Sequence, residues 1–377
     1  MKKILFLIPG LSEGGAEKVL CNLVNNMDQT KYDITVQNID PYDYRSYLAK
    51  GIHYKAINNC RTRVGRKLFA LFFRLCAELK LAYPLFIRGD YDLEIAYLET
   101  IATKLLAQST NKKATKLAWV HCDLSLKDNM KNSVDKVRKQ YQRYDRIVCV
   151  SEDVKKGFCR LYGDNFHTEV FHNIIDDTEI LKKAAEPMPA CLDVSVPKLL
   201  AVGRLTAQKN FSYLIRSCGM LRDAGFSFNL NILGEGPEQE KLQNLIHELN
   251  LEEYVSLQGF QSNPYPWIAN SDLMVCSSRY EGISTFVQEA FVLGKPIVTT
   301  PCTGMSELLG DSEYGLVVED DENGLFNGIC SMLKTPALMS KYRVASAERY
   351  KVFSKKTLIR ETESLFDNLI NNRKQLE

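Results

Sequence analysis

Two cations, Arg204 and Lys209, stand five residues apart in the stretch GRLTAQKN, which directly follows the apolar run Leu199–Val202. A planar guanidinium fork and a compact ammonium, fixed at the end of a strand and ahead of a helix, suit a diphosphate. Downstream, the stretch SSRYEGISTFVQEAFVLGKPIVTT carries Glu281 and Glu289 with seven residues between them. Its pattern predicts Glu281 in a loop, Gly282 in a tight turn and Glu289 on a helix beginning near Ile283. Backbone N–H groups at that start, around Ile283, Ser284 and Thr285, favour a phosphate through hydrogen bonds and the helix dipole. The two carboxylates can accept hydrogen bonds from ligand hydroxyls. A second turn, GEGP at Gly234–Pro237, has glycines that let backbone approach a ligand closely. Each feature also has an ordinary use: loop cations are commonly solvated, Gly-Pro before a helix is common punctuation, and a carboxylate on a helix is often a surface or capping residue.

These residues fall just after apolar runs that read as strands. Ile4–Ile8, Asp33–Ile39, Leu93–Leu98, Lys116–His121 and Arg146–Val150 alternate with segments long enough for crossover helices. A polar, Pro-bearing stretch, Lys182–Lys198, interrupts the series. It resumes at Leu199–Val202 and continues through Ser227–Leu233, Tyr254–Leu257, Leu273–Cys276, Pro296–Thr300 and Gly315–Val318. Alternation of this kind implies parallel sheets with helices on both faces, and ligands bind such sheets at the carboxyl ends of their strands. The expected fold is therefore α/β with two doubly wound domains, residues 1–181 and 199–354, joined by a linker at 182–198. A terminal helical pattern from Lys355, with 355–377 packing back on the first domain, completes the expectation.

At 377 residues the chain is long enough for two cores. No apolar stretch reaches the roughly 20 residues of a membrane span. The opening MKKILFLIPGLSEGG pairs a basic tip with a short apolar run and a Gly-rich turn, which predicts a first buried strand of an uncleaved, cytoplasmic protein. Eleven cysteines are scattered with no C-x-x-C pair, as small core residues of a reducing compartment would be. Charge divides unevenly: residues 1–185 hold 30 Lys plus Arg against 22 Asp plus Glu, a net +8 that favours an anionic surface. Arg61–Arg88 mixes Arg61, Arg63, Arg66, Lys67 and Arg74 with Leu68, Phe69, Phe72, Phe73 and Phe86. That mixture reads either as an interfacial helix making peripheral membrane contact or as a core helix with a basic solvent face.

Taken in order, GLSEGGAEK (Gly10–Lys18), WVHCD with His121, VSED (Val150–Asp153), HNIID (His172–Asp176), GRLTAQKN, GEGP and the Glu281/Glu289 pair resemble glycosyltransferase family 4 over most of the chain. The resemblance implies a GT-B fold, two Rossmann-like domains facing across a cleft, and a retaining transferase with no metal and no cofactor beyond its nucleotide-sugar co-substrate. It implies that Arg204 and Lys209 hold the donor diphosphate and stabilise charge as the nucleotide leaves. Glu281 would contact the donor sugar, Glu289 the ribose, backbone at Gly259 and Phe260 the base, and Gly14 and Gly15 the phosphates. His121 would lie beside the sugar, its alternative being a satisfied core histidine. The implied donor is a UDP-hexose or UDP-N-acetylhexosamine, and the acceptor a polyprenyl-linked glycan of a surface polysaccharide such as a capsule. No nucleic-acid partner is expected. Ser284 and Thr303-Gly304 depart from the small residue or Pro and the Gly-Gly that many relatives carry, which leaves the donor sugar open.

Other readings are weaker or remain alternatives. Asp90-Tyr-Asp92 matches the Asp-x-Asp of a metal-dependent transferase but precedes a strand, and so reads as a turn. Gly10, Gly14 and Gly15 do not form G-x-G-x-x-G, and only Asp40 stands near the place of a ribose-binding acid, so a dehydrogenase is not expected. A nucleotide-sugar epimerase of the same fold and a non-catalytic nucleotide-sugar-binding subunit both stay open.

Overall fold

A computed structural model describes residues 1–11, 15–39, 45–60, 62–126, 133–188 and 195–375. Gly14, Asp40, Arg61 and Cys191, with the rest of 189–194, lie outside the described residues. The chain forms two compact α/β units. One comprises Met1–Ile175 with Lys355–Glu377, the other Asp176–Ser354.

The first unit is built on seven parallel strands: β1 (Lys2–Ile8), β2 (Tyr32–Asn38), β3 (His53–Ala56), β4 (Leu93–Ala96), β5 (Thr115–Val120), β6 (Arg146–Cys149) and β7 (Thr168–Val170). Their order is 3-2-1-4-5-6-7, so the winding reverses between β1 and β4. The apolar runs became the central strands because both faces of a parallel sheet are covered; Ile4 to Ile8 are fully buried. β3 and β7 lie at the two edges and did not stand out in the sequence. β3, HYKA, alternates exposed and half-buried residues, and β7 has only three residues.

The second unit repeats the plan with β8 (Lys198–Val202), β9 (Asn229–Leu233), β10 (Val255–Leu257), β11 (Leu273–Cys276), β12 (Ile297–Thr299) and β13 (Leu316–Val317) in the order 10-9-8-11-12-13. Its winding reverses between β8 and β11, which pair through Leu273–Leu199 and Met274–Leu200. Leu199, Ala201, Leu214, Ile232, Val275 and Ile329 are central to its core.

The division falls after Ile175, not at 181, and part of the expected linker is helix. Asp176 caps the helix Asp177–Ala184 by accepting from the Glu179 amide at 3.1 Å. Asn263 then donates to the Lys183 carbonyl at 3.1 Å and to Glu186 at 2.8 Å, binding that helix into the second unit. The Pro-rich text masked this, because the capping signal lies before it.

The final helix, Lys355–Gln375, belongs to the first unit. Phe366 is fully buried between Phe6 and Trp119, with ring centroids 6.1 Å and 6.5 Å away. Asp367 receives Lys2 at 2.8 Å and the Tyr32 hydroxyl at 2.6 Å, and the Asp28 amide donates to Glu363 at 2.7 Å. Among the described residues no helix is long and apolar enough to cross a membrane.

Replacing Phe366 by Ala should destabilise the first unit by about 3–5 kcal/mol through a cavity against Phe6 and Trp119. Urea unfolding followed by tryptophan fluorescence will check this: the phase reporting Trp119 should move, and an unmoved Trp119 phase would show that the helix contributes nothing to that core.

Candidate functional site

In the second unit the chemistry collects where β8 and β11 diverge, the position at which a doubly wound sheet leaves a crevice. The turn after β8 carries Arg204 and Lys209, and the loop after β11 carries Ser277 to Glu281. Hydrogen bonds lace the two together. The Ser277 hydroxyl donates to the Lys209 carbonyl at 2.8 Å, the Arg279 amide to the Gln208 carbonyl at 2.9 Å, and the Gln208 side-chain amide to the Tyr280 carbonyl at 2.8 Å. Asn210, buried and in the left-handed conformation (φ 51°), ends the turn and accepts from Arg279 at 3.4 Å.

Across this junction Lys209 Nζ meets Glu281 Oε1 at 2.5 Å, with the side chains only 20% and 11% exposed. Burial is the strongest single influence and opposes the Lys209 charge, but the charge and hydrogen bond of Glu281, together with the nearby Cys276 and Cys302, hold the ammonium above the ordinary lysine range. A Cβ at Gly203 would stand 2.9 Å from Lys209 Cε, so the glycine makes room for the lysine stem. Arg204 is exposed, and among the described residues its guanidinium pairs with no protein group. The site thus holds one cation already compensated and one available to an anion.

The helix expected near Ile283 is Thr285–Val292, two residues later, because Ser284 is its N-cap and accepts from the Val287 amide at 3.4 Å. The first-turn amides of Thr285 and Phe286 precede the helix's own acceptors. Ile283 and Ser284 are buried, and so is Glu289, which receives the Tyr265 hydroxyl at 3.3 Å. Gly282 lies under Gly304: a Cβ on Gly304 (φ 80°) would stand 2.5 Å from the Gly282 carbonyl oxygen.

Gly234 answers to a different demand from the expected ligand approach. A Cβ there would fall 2.0 Å from the Gly203 carbonyl oxygen, so the glycine lets the turns after β8 and β9 touch backbone to backbone. The helix after GEGP starts at Gln239. Gly259 (φ 69°) and Phe260 follow β10; the Phe260 amide lies 3.5 Å from Glu235 Oε1, and its ring is exposed. Glu235 was not singled out from the sequence, since nothing in GEGP distinguishes its carboxylate from a solvated one.

In the first unit Gly15 opens the helix Gly15–Asn26 after β1, while Gly14 lies outside the described residues. His121 follows β5 and packs on Tyr97 and Trp119 at centroid distances of 4.7 Å and 6.3 Å. Its ring nitrogens are buried and, among the described residues, have no hydrogen-bond partner of good geometry. Burial pushes the imidazole down, to about 4, against the opposing pull of Glu99, so His121 is neutral at pH 7. Buried Glu99 went unnoticed in the sequence. It accepts the backbone amides of His121 at 2.5 Å and Cys122 at 3.0 Å and so fixes the turn that presents the histidine.

Other motif residues prove to shape backbone. Ser151 caps the helix Glu152–Tyr162 by accepting from Val154, and Asp123 fills the space left by Gly157, where a Cβ would lie 2.1 Å from its carboxylate. In the Asp-x-Asp text, Asp92 accepts the Lys3 amide at 2.8 Å and pairs with Lys374 at 3.0 Å, which makes it the turn residue expected. Among the described residues no group of three or more His, Cys, Asp or Glu side chains is placed to hold a metal ion.

Comparison with known proteins places this geometry among relatives. Residues 196–335 match the family profile described as glycosyl transferases group 1. The chain is 30% identical, over 96% of its length and 98% of the relative's, to the N-acetylgalactosamine-N,N'-diacetylbacillosaminyl-diphospho-undecaprenol 4-alpha-N-acetylgalactosaminyltransferase of Campylobacter jejuni. In fold it is similar to Anabaena HepE, solved with UDP and glucose (TM-score 0.76, 18% identity, 98% of this chain and 100% of that one). It is equally similar to S. aureus TarM, solved with fondaparinux, alpha-GlcNAc-glycerol and UDP (TM-score 0.76, 13% identity, 97% and 100%).

Two outcomes follow from the geometry. Lys209→Ala strands a buried carboxylate and should cost about 3 kcal/mol of stability, whereas Arg204→Ala at an exposed position should stay within about 0.5 kcal/mol; equal thermal midpoints for the two variants would contradict the pairing. For His121 the folded value, about 4, lies below the unfolded 6.5. The unfolded chain therefore takes up the proton first, and stability present above pH 6.5 is lost as pH falls towards 4, by up to about 3 kcal/mol. The stability difference between the wild type and His121→Asn should shift by that amount across this window in urea titrations. Parallel pH curves would rule the effect out.

Proposed function

The chain belongs to the group 1 glycosyltransferases, GT-B in architecture, and we propose that it moves a hexose or N-acetylhexosamine from a UDP-sugar to a polyprenyl-linked glycan, with retention and without a metal. The observation that carries the reading is the Lys209–Glu281 pair beside the exposed Arg204 at the switch point of the second sheet. The polyprenyl acceptor is supported by the Campylobacter relative, whose name gives a diphospho-undecaprenol acceptor and an N-acetylgalactosaminyl group. The UDP donor is supported by the UDP in the HepE and TarM complexes. Lipopolysaccharide-core and colanic-acid transferases among the relatives support a role in surface-polysaccharide assembly.

Arg204 takes the donor diphosphate as a bidentate donor, and Lys209, kept protonated by Glu281, adds a second positive charge. As the bond from the anomeric carbon to the phosphate oxygen breaks, the electron pair and negative charge pass to the leaving diphosphate, where these cations stabilise them. The acceptor hydroxyl forms the new carbon–oxygen bond on the face the leaving group vacates, and its proton goes to a phosphate oxygen. No enzymic nucleophile is needed, and the cationic work a metal would do falls to Arg204 and Lys209. Glu281 serves sugar hydroxyls, Glu289 serves the ribose, and the amides of Thr285 and Phe286 support the phosphates, while in the first unit the neutral His121 is suited to hydrogen-bonding a hydroxyl.

A panel of nucleotide sugars in EDTA should raise the thermal midpoint with one donor class only, since a ligand at about 100 times its Kd stabilises by about 2.7 kcal/mol. Arg204→Ala should abolish that shift and lower kcat by about 10²–10³-fold with the fold intact. Absence of a shift with every nucleotide sugar would overturn the donor site. A shift restored only by added divalent cation would overturn metal independence, and an altered nucleotide sugar formed without acceptor would favour the epimerase.

A further inference from the structure

The helix Arg63–Glu78 has two apolar faces, and only one of them is used. Phe73, Cys76 and Ala77 are buried in the first unit, and Phe69 stacks on Phe73 and meets Phe86 edge-on, with centroids 6.2 Å and 5.7 Å away, which seats the helix firmly. At about 100° per residue, Val64, Leu68, Leu71, Phe72 and Leu75 fall within a single arc turned away from those residues. They are 69%, 64%, 68%, 50% and 57% exposed. The chain breaks helix at Lys80 (φ 59°), so Arg61–Arg88 is not one continuous helix, yet Leu79, Leu81 and Leu85 continue the exposed apolar surface. The helix thus combines features of both readings of this segment: one face enters the core, and its water-facing side carries an apolar crest beside exposed basic residues. Eight large apolar side chains exposed together far exceed the scattered singles of an ordinary surface.

Charge identifies the occupant. Arg63, Lys67 and Arg74 fall along one margin of the apolar arc. The only acid of the helix, Glu78, is engaged by Lys104 and, at 3.6 Å, by Lys136, so it does not cancel that margin. An apolar crest with a cationic border matches the boundary between acyl chains and anionic headgroups, where leucines enter the lipid and long basic side chains reach the phosphates. We propose that the surface formed by Arg63–Glu78 and Leu79–Leu85 docks the protein on an anionic lipid membrane. The inference goes beyond the proposed reaction and is measured without donor or acceptor.

The test is co-sedimentation of the full chain with phosphatidylcholine vesicles, with and without phosphatidylglycerol. Two triple variants accompany it: Leu68→Ser, Leu71→Ser, Leu75→Ser, and Arg63→Gln, Lys67→Gln, Arg74→Gln. All six positions are exposed, so unchanged thermal midpoints are expected for both. The wild type should bind the anionic vesicles and bind pure phosphatidylcholine much less. Removing three basic charges should weaken anionic binding on the order of a hundredfold, and the serine variant should lose binding to both vesicle types. No binding of the wild type to anionic vesicles, or binding that neither variant reduces, would overturn the proposal. So would a concentration-dependent dimer, broken by the serine variant, in a protein that ignores vesicles; that result would assign the face to a second copy of the chain.

Discussion

The buried contact between Lys209 and Glu281 is the constraint around which the second unit's site is arranged. Neither charge tolerates burial alone, and the pair is stable only while both loops keep their places. Those loops leave adjacent strands on opposite sides of the sheet's reversal, so the ion pair, with the hydrogen bonds around it, ties together two crossovers that the topology sends apart. The glycines around it are consequences. Gly203 admits the lysine stem, Gly234 admits the Gly203 carbonyl, and Gly304 admits the Gly282 carbonyl. Each removes a Cβ so that backbone can close around a charge pair whose geometry leaves little slack.

The first unit solves a similar problem with one carboxylate instead of two charges. Glu99, at the turn after β4, takes the amides of His121 and Cys122 after β5, so a buried anion is satisfied by backbone and fixes a neighbouring loop. Burial against Tyr97 and Trp119 outweighs the pull of the Glu99 charge on the histidine beside it and keeps the imidazole neutral. A neutral imidazole whose ring nitrogens find no well-placed partner among the described residues can exchange hydrogen bonds with a hydroxyl at little desolvation cost, which a charged one could not do.

Much of this was legible in the sequence because parallel strands buried on both faces write themselves as apolar runs, and ligand sites follow their carboxyl ends. Arg204, Lys209 and Glu281 were singled out through that rule, and Glu289 through the family resemblance. The edge strands β3 and β7 were not legible, since HYKA and TEV hold no apolar run, whereas the edge strands β10 and β13 lie within Tyr254–Leu257 and Gly315–Val318 and were. Glu99 escaped for a different reason: its role depends on a strand whose sequence lies some twenty residues on, and nothing local marks a carboxylate as an acceptor for distant amides. Asp176 and Ser151 belonged to recognisable motifs, but the structure gives both a capping task.

The spacing of the two glutamates shows why a sequence motif can specify roles as well as positions. Glu281 sits in the loop before the Ser284 cap, where its carboxylate can reach across to the turn after β8. Glu289 sits on the helix that follows, buried beside Tyr265. Between them the chain must change from extended to helical backbone at one point, and Ser284 supplies the hydroxyl that makes the change. Lengthening the interval by one residue would rotate Glu289 by about 100° around the helix and take it off its face. The fixed interval therefore records a geometric requirement: one carboxylate bound to a cation across the switch point, and a second carried about one helical turn beyond the cap.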